Sequence, residues 1–231
     1  MNGTVALVAG ASGGIGRAIA HQLISAGAEV ILLGRNAERL ADCLPPDATA
    51  RSSILAADLT DASSMEIISA ELSRRGRLNS LILSSGIYER SDDPVILRRQ
   101  FEANVIGPYA LIRITLPMLA RNDGHIIFVN STQGLRASAT VGQFAATMHA
   151  MRAIADALRD EVNAHGVRVT SLYLGRTAGD RQKKIFEFEG RNYPPERLLQ
   201  PGDVADTVCH VLQTPRTVEI TEITIRPMLK T

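Results

Sequence analysis

Near its start the chain runs Val5-Ala6-Leu7-Val8-Ala9-Gly10-Ala11-Ser12-Gly13-Gly14-Ile15-Gly16-Arg17-Ala18-Ile19-Ala20. Five apolar residues without polar alternation suit a strand covered on both faces. Glycines follow at 10, 14 and 16, and a helix-period segment over 15–26 opens among them. Glycine permits a tight turn and lets an anion come close to the main chain, while a helix N-terminus offers free N–H groups and the positive end of its dipole. A glycine trio alone is weak, but between a first strand and an amphipathic helix it has the setting a phosphate-binding turn requires. Gly10, Ser12, Gly14, Ile15 and Gly16 are therefore candidate contacts for a dinucleotide pyrophosphate. A glycine-rich turn without a ligand is the alternative.

Outward from this turn, short apolar runs alternate with longer segments of helical period. Strands are predicted over 5–9, 29–33, 53–57, 80–83, 125–129, 167–173 and 220–226, and helices over 15–26, 37–43, 62–74, 94–120, 141–164 and 203–212. Gly27, Gly76 and Gly166 fall at expected helix ends. The sustained alternation implies right-handed crossovers. The predicted class is α/β: a single-domain Rossmann-type, doubly wound parallel sheet of about seven strands with helices on both faces, spanning 1–231. Segment 177–200 has no clean period and follows the sixth strand, at the carboxyl end of the sheet. It reads as a lid on the substrate side or as a solvated helix–loop insertion.

Composition narrows the function classes. Lys+Arg is 25 and Asp+Glu 24, for a net charge of +1, which argues against a nucleic-acid binder. The 45% hydrophobic and 21% charged shares are those of a globular domain. Cys43 and Cys209 form no disulfide framework and no metal cluster. No uninterrupted apolar run reaches the ~18 residues of a membrane span, and Met1-Asn2-Gly3-Thr4 lacks a basic leader, so a cytoplasmic protein without a membrane partner is expected.

The second strand ends Ile31-Leu32-Leu33-Gly34-Arg35-Asn36. An acidic residue here would accept from a ribose 2′-OH, whereas an arginine suits a 2′-phosphate. Arg35, with Ser12 as a second donor, thus favours NADP(H) over NAD(H); a solvated surface arginine is the alternative. Asp58, in Ala57-Asp58-Leu59-Thr60, either meets the adenine amino group or caps the helix that follows.

The Gly-x-x-x-Gly-x-Gly turn, Asp58-Leu59, Asn104 in Glu102-Ala103-Asn104-Val105, the strand running into Ser131, and Pro195-Glu196-Arg197-Leu198-Leu199-Gln200-Pro201-Gly202-Asp203-Val204-Ala205 together resemble the short-chain dehydrogenase/reductase family over essentially the whole chain. The resemblance implies an oxidoreductase ancestry and places Ser84, Gly86 and Thr177 beside the cofactor. It also implies a catalytic Asn, a Ser and a Tyr-x-x-x-Lys pair on the helix after the fifth strand. In that chemistry the phenol exchanges a proton with the substrate oxygen while the lysine lowers its pKa and holds the ribose. Asn104 and Ser131 match the first two. Thirteen residues beyond Ser131, the expected Tyr position, stands Phe144. The run Phe144-Ala145-Ala146-Thr147-Met148-His149-Ala150-Met151-Arg152 resembles the family's Tyr-Ala-Ala-Ser-Lys-His-Ala-Leu-Arg, with Phe144 for Tyr and Met148 for Lys. Neither side chain donates a proton.

Other departures lie close by: Leu83-Ser84-Ser85-Gly86 stands for Asn-Asn-Ala-Gly, and Leu174-Gly175 for Pro-Gly. Losing a positioned general acid costs roughly 10²–10⁴ in rate. The expectation is an NADP(H)-binding protein whose standard carbonyl or alcohol hydride transfer is lost or very weak. The alternatives are non-redox chemistry in the same cleft (cyclisation, dehydration or isomerisation) or slow reduction with Ser131 or water as proton donor. Tyr88, Gln133, Phe144 and Met148 would line the cleft around a small-molecule ligand, with Gln143 a further polar candidate. Leu111, Ile114, Leu116, Ala150, Ile154, Ala157 and Leu158, on the fourth and fifth predicted helices, are the expected interface of a homodimer or homotetramer.

Overall fold

The computed structural model describes residues 1–44 and 52–229. Seven parallel strands form one sheet in the order β3-β2-β1-β4-β5-β6-β7. They are β1 (Val5–Ala9), β2 (Glu29–Gly34), β3 (Ser52–Ala56), β4 (Ser80–Leu83), β5 (His125–Ser131), β6 (Arg168–Leu174) and β7 (Glu222–Ile225). The helices are α1 (Gly14–Ser25), α2 (Ala37–Ala41), α3 (Ala62–Arg75), α4 (Pro94–Phe101), α5 (Gly107–Arg121), α6 (Gly142–Val162), α7 (Asp180–Phe188) and α8 (Pro201–Gln213).

The sheet is covered on both sides, and strand alternation allots residues between them. Leu7 and Ala9 of β1 join Ile68 and Leu72 of α3, Leu111 and Ile112 of α5, and Ala155 and Leu158 of α6. Ala6 and Val8 join Ile19 and Leu23 of α1, Leu40 of α2, and Val204 and Val208 of α8. Burying each such aliphatic side chain contributes about 1.5–3 kcal/mol, which is why the strands read as unbroken apolar runs. Helix starts follow short polar caps: Asn36 accepts from Arg39 N–H, Asp61 from Ser64 N–H and Asp93 from Val95 N–H. Asp61, rather than Asp58, caps the helix after β3. Gly76 ends α3 with φ of 68°, a left-handed cap.

Two predicted elements differ. The helix over 94–120 is continuous from Pro94 to Arg121 but contains a π-helical stretch, Glu102–Ile106. The extra residue per turn shifts the side-chain register there and leaves Asn104 2% exposed. By length and composition Pro94–Arg121 is apolar enough to cross a membrane; its apolar side belongs to the protein core, with Leu111, Ile112 and Leu119 fully buried. The second difference is α7, an ordered helix inside 177–200. Leu111 and Leu158, expected at an interface, are core residues, whereas Ile106 and Tyr109 are exposed apolar groups on this helix.

Strand order reverses between β1 and β4, so their carboxyl ends, with those of β2 and β5, open the crevice where ligands bind in such sheets.

Candidate functional site

The glycine turn closes this crevice tightly. Gly10 has φ of +83°, and a Cβ there would lie 2.7 Å from the Ser85 main chain. A Cβ on Gly16 would meet Gly10 O at 2.3 Å and Ser84 Oγ at 2.6 Å. One on Gly14 would meet nothing within 4 Å. Gly10 and Gly16 thus exist for backbone packing, while Gly14 leaves the first helical turn open. The N-cap of α1 is Gly13, without a side-chain cap and without an acidic residue in the first turn. The donors of that turn remain available to an outside acceptor. Ser84 is fixed by donating its hydroxyl to Ala9 O (2.9 Å).

At the end of β2, Ser12 Oγ lies 3.5 Å from where a Gly34 Cβ would stand. Arg35 is exposed, and among the described residues it meets no carboxylate. Asp58 uses Oδ1 to accept from both Thr60 N–H (2.9 Å) and Thr60 Oγ1 (2.8 Å), an Asx turn. Leu59 O lies 2.6 Å from where a Gly107 Cβ would stand, so the loop rests on the start of α5.

The floor of the crevice is built by α6 against the ends of β4 and β5. Asn104 accepts from Ile87 N–H (2.7 Å) and donates to Ile87 O (2.9 Å) and Thr147 Oγ1 (3.1 Å). It therefore holds the segment after β4 onto α6. Asn130, 5% exposed, donates to Met148 O (3.0 Å) and accepts from Ser131 N–H (2.7 Å). Ser131 Oγ accepts from Gln133 N–H (3.2 Å). Met148 is buried over a small cavity of about 20 Å³ that Ser85, Asn104, Pro108, Asn130 and Met151 also line, with no ionisable side chain among its walls. Ser85 Oγ has no hydrogen-bond partner in the protein. One turn earlier the Phe144 ring meets the edge of Tyr88, centroids 5.1 Å apart at 78°. Tyr88 Oη accepts from Arg90 Nε (3.0 Å). A larger cavity, about 480 Å³, lies at the opposite end of the sheet beside Thr4, Glu29 and Arg75.

Residues 176–200, after β6, fold on themselves and meet the segment after β4. Ala178 N–H donates to Leu199 O and Leu199 N–H to Arg176 O, and Gly179 N–H donates to Tyr193 Oη (2.8 Å). Arg181 of α7 donates to Gly86 O (2.5 Å). Glu189 accepts from Arg176 through both oxygens (2.9 and 3.0 Å) and from Arg191 (3.3 Å), with Arg90 3.6 Å away. Burial opposes ionisation of Glu189, but the bond and charge of Arg176, then of Arg191, prevail and hold its carboxyl below the usual range.

The short chain dehydrogenase profile matches residues 4–190. The chain belongs to this family. An uncharacterized oxidoreductase of Staphylococcus epidermidis is 30% identical over 230 residues, covering 97% of each chain. Among solved structures, the closed form of serine dehydrogenase complexed with NADP+ superposes with a TM-score of 0.88 at 25% identity, covering 99% of this chain and 96% of that one. A metagenomic short-chain oxidoreductase in complex with NADP gives 0.84 at 26% identity, covering 99% of both.

Within this short-chain dehydrogenase fold, Asn104, Met148 and Ser85 meet at one cavity, Ser131 adjoins it through Asn130, and Phe144 adjoins Tyr88. Thr177 donates to Gly175 O and bridges to Leu199. Gln133 accepts weakly from Ser138 (3.4 Å). Gln143 is taken up elsewhere, donating to Asp93 O and accepting from Gln100. Tyr173 is fully buried, donates to Glu222 and has its pKa raised by burial, so its role is structural. Asn130, Arg90 and Glu189 were missed in the sequence. A buried Asn at a strand end is the sole local sign of the first, and the other two meet only through the tertiary fold.

Proposed function

We propose that this short-chain dehydrogenase relative binds NADP(H) in the crevice and has lost, or retains very weakly, the family's proton-transfer step. The cofactor fits the residues present: a glycine cradle that a Cβ would fill, an uncapped α1, and a partnerless Arg35 at the end of β2. Gly10, Gly14, Ile15 and Gly16 would receive the pyrophosphate, with Ser12 and Arg35 on the 2′-phosphate. Asp58 and Leu59 would flank the adenine, and Ser84, Gly86 and Thr177 would face the nicotinamide side. The two similar structures that hold NADP+ or NADP support the same cofactor here. When bound, that cofactor supplies or accepts a hydride.

The observation that carries the loss is the pair Phe144 and Met148. They occupy the expected Tyr and Lys positions on the face of α6 that meets Tyr88 and Asn104. Ser131 would still meet a substrate oxygen, while Asn104, its amide taken up by Ile87 and Thr147, would hold the floor in place; neither is paired with a base. Titrating NADPH and NADH by fluorescence beside turnover across a carbonyl panel tests this. Saturable binding with NADPH preferred, and oxidation roughly 10²–10⁴ below that of a family member with the intact pair, is expected. Absence of binding would remove the Arg35 assignment, and brisk turnover would remove the loss.

One observation favours residual reduction instead. Tyr88 touches Phe144, and Arg90 donates to its hydroxyl. A phenol held by a guanidinium beside Phe144 offers the hydroxyl that position 144 lacks. Loss of any residual turnover in Tyr88→Phe would select this reading. For assembly we propose a homodimer or homotetramer through α5 and α6, where Ile106, Tyr109 and Ala157 are exposed.

A further inference from the structure

The arginines over the crevice outnumber their counter-charge. Arg90 comes from the segment after β4, Arg176 from the segment after β6, and Arg191 from beyond α7. All three converge on Glu189. Among the described residues no other carboxylate lies within ion-pair distance of any of them. One negative charge therefore faces three guanidinium groups.

Two of these groups are not surface decorations. The Arg90 and Arg176 side chains are 17% and 29% exposed. Gathering partly desolvated like charges costs free energy unless a further anion joins them. A second, independent observation points the same way: Arg176 Nη1 is buried and has no acceptor in the protein. The aromatic residues fix the guanidinium planes. Arg176 and Arg191 both stack on Phe186, at 4.7 and 5.1 Å from its ring centre, and Arg90 sits 4.6 Å over Phe188. Such stacking holds the forks in place before a ligand arrives.

The cluster also reaches the crevice floor. Arg90 Nε donates to Tyr88, whose ring rests on Phe144, and Arg181 anchors α7 to Gly86 O. A group held by Arg90 and Arg176 would place the rest of a small molecule beside Phe144 and Met148.

We infer that Arg90 and Arg176, with Arg191 in support, form a recognition site for a carboxylate on the small-molecule ligand of this crevice. Arg176 Nη2 already spans both oxygens of Glu189 at 2.9 and 3.0 Å, so the site's geometry suits a planar two-oxygen anion. The ligand carboxylate joins Glu189, taking the buried, unpartnered Arg176 Nη1 and Arg90, which Tyr88, Thr140 Oγ1 (3.2 Å) and the Phe188 ring already hold in place. This names a ligand class for the crevice and rests on reading that crevice as the binding site.

Isothermal titration calorimetry with butyrate, its neutral isostere butyramide and inorganic phosphate tests the inference, on the protein alone and with saturating NADP+. Butyrate should bind at one site, with butyramide and phosphate weaker by about tenfold or more. Arg176→Gln and Arg90→Gln should each weaken butyrate about tenfold, Arg176→Lys nearly as much because the fork is lost, and the exposed pair Lys183→Ala/Lys184→Ala very little. Equal binding of butyrate and butyramide, phosphate as tight as butyrate, or equal losses in the lysine and arginine variants would overturn it. Thermal melts confirm that each variant is folded, and because the two arginines sit on separate segments, either alone suffices. NADPH titration of the same samples separates the readings. Intact NADPH binding without carboxylate discrimination sinks this inference alone. Arginine-dependent butyrate binding without NADPH binding sinks the cofactor reading alone.

Discussion

The two halves of the crevice are built differently. On the β1–α1–β2 side, the proposed ligand contacts are mostly main-chain groups and glycines, and their positions are enforced by packing: Gly16 has no room for a Cβ against Gly10 O and Ser84. On the β4–β5–α6 side the scaffold is equally firm, with Asn104 and Asn130 clamping α6, yet the chemistry depends on side-chain tips. A tip can change without disturbing the scaffold. Phe keeps the shape of Tyr and Met approximates the stem of Lys, so on the reading proposed above that half keeps its form without the family's proton-transfer pair. Backbone-borne function is tied to the fold; tip-borne function is not.

The largest effect that would break this contrast comes from the first half. Gly16→Val forces a Cβ into Gly10 O, at a cost of about 3 kcal/mol or more, and should lower NADPH affinity roughly a hundredfold or prevent folding. Fluorescence titration with a thermal melt distinguishes these, and unchanged binding would remove the cradle. Next, Arg35→Ala should weaken NADPH by about 10–100-fold while leaving NADH unchanged, since only a charge-assisted phosphate bond is lost. Equal effects on both cofactors would contradict the 2′-phosphate role.

In the second half, Asn130→Ala removes its bonds to Met148 O and Ser131 N–H, which tie the end of β5 to the middle of α6. The expected loss is about 1–3 kcal/mol, or a few degrees of Tm, seen in a denaturant melt. A change below about 0.5 kcal/mol would show that α6 is held by packing alone.

The effect that is smallest near neutral pH belongs to neither half. His125, at the start of β5, shares a hydrogen bond with Thr170, and burial, then the charges of Arg168 and Arg216, push its pKa down to about 3. Below about 6.5 the unfolded chain takes up a proton there that the folded chain refuses. Its contribution to stability is therefore full above that pH and falls by up to about 1.4 kcal/mol per unit on acidification toward 3. His125→Asn should flatten the pH dependence by that slope; identical slopes would contradict the assignment.

Much of the fold was legible because strands buried on both faces are apolar throughout and the glycines sit where sterics demand them. The π-helical turn was not: a single extra residue at Glu102–Ile106 leaves the hydrophobic period almost intact. Helix α7 was hidden because its inward face is narrow, with only Gln182 and Phe186 buried while Arg181, Lys183 and Lys184 are exposed. The run that sets Phe144 and Met148 at the proposed Tyr and Lys positions was legible because its residues are contiguous. The arginine cluster around Glu189 was not, since its members lie on segments far apart in the chain and no local spacing unites them.

The most direct test of the contrast is to restore the tips alone. A Lys at position 148 would point its ammonium toward a cavity already lined by the partnerless Ser85 Oγ and by Asn104, and a Tyr hydroxyl at 144 adds a single atom beside Tyr88. NADPH-dependent carbonyl reduction should be compared between wild type and the double variant Phe144→Tyr/Met148→Lys at equal cofactor saturation. The account predicts a gain of roughly a hundredfold or more. A double variant that folds, binds NADPH and stays as inert as wild type would contradict it.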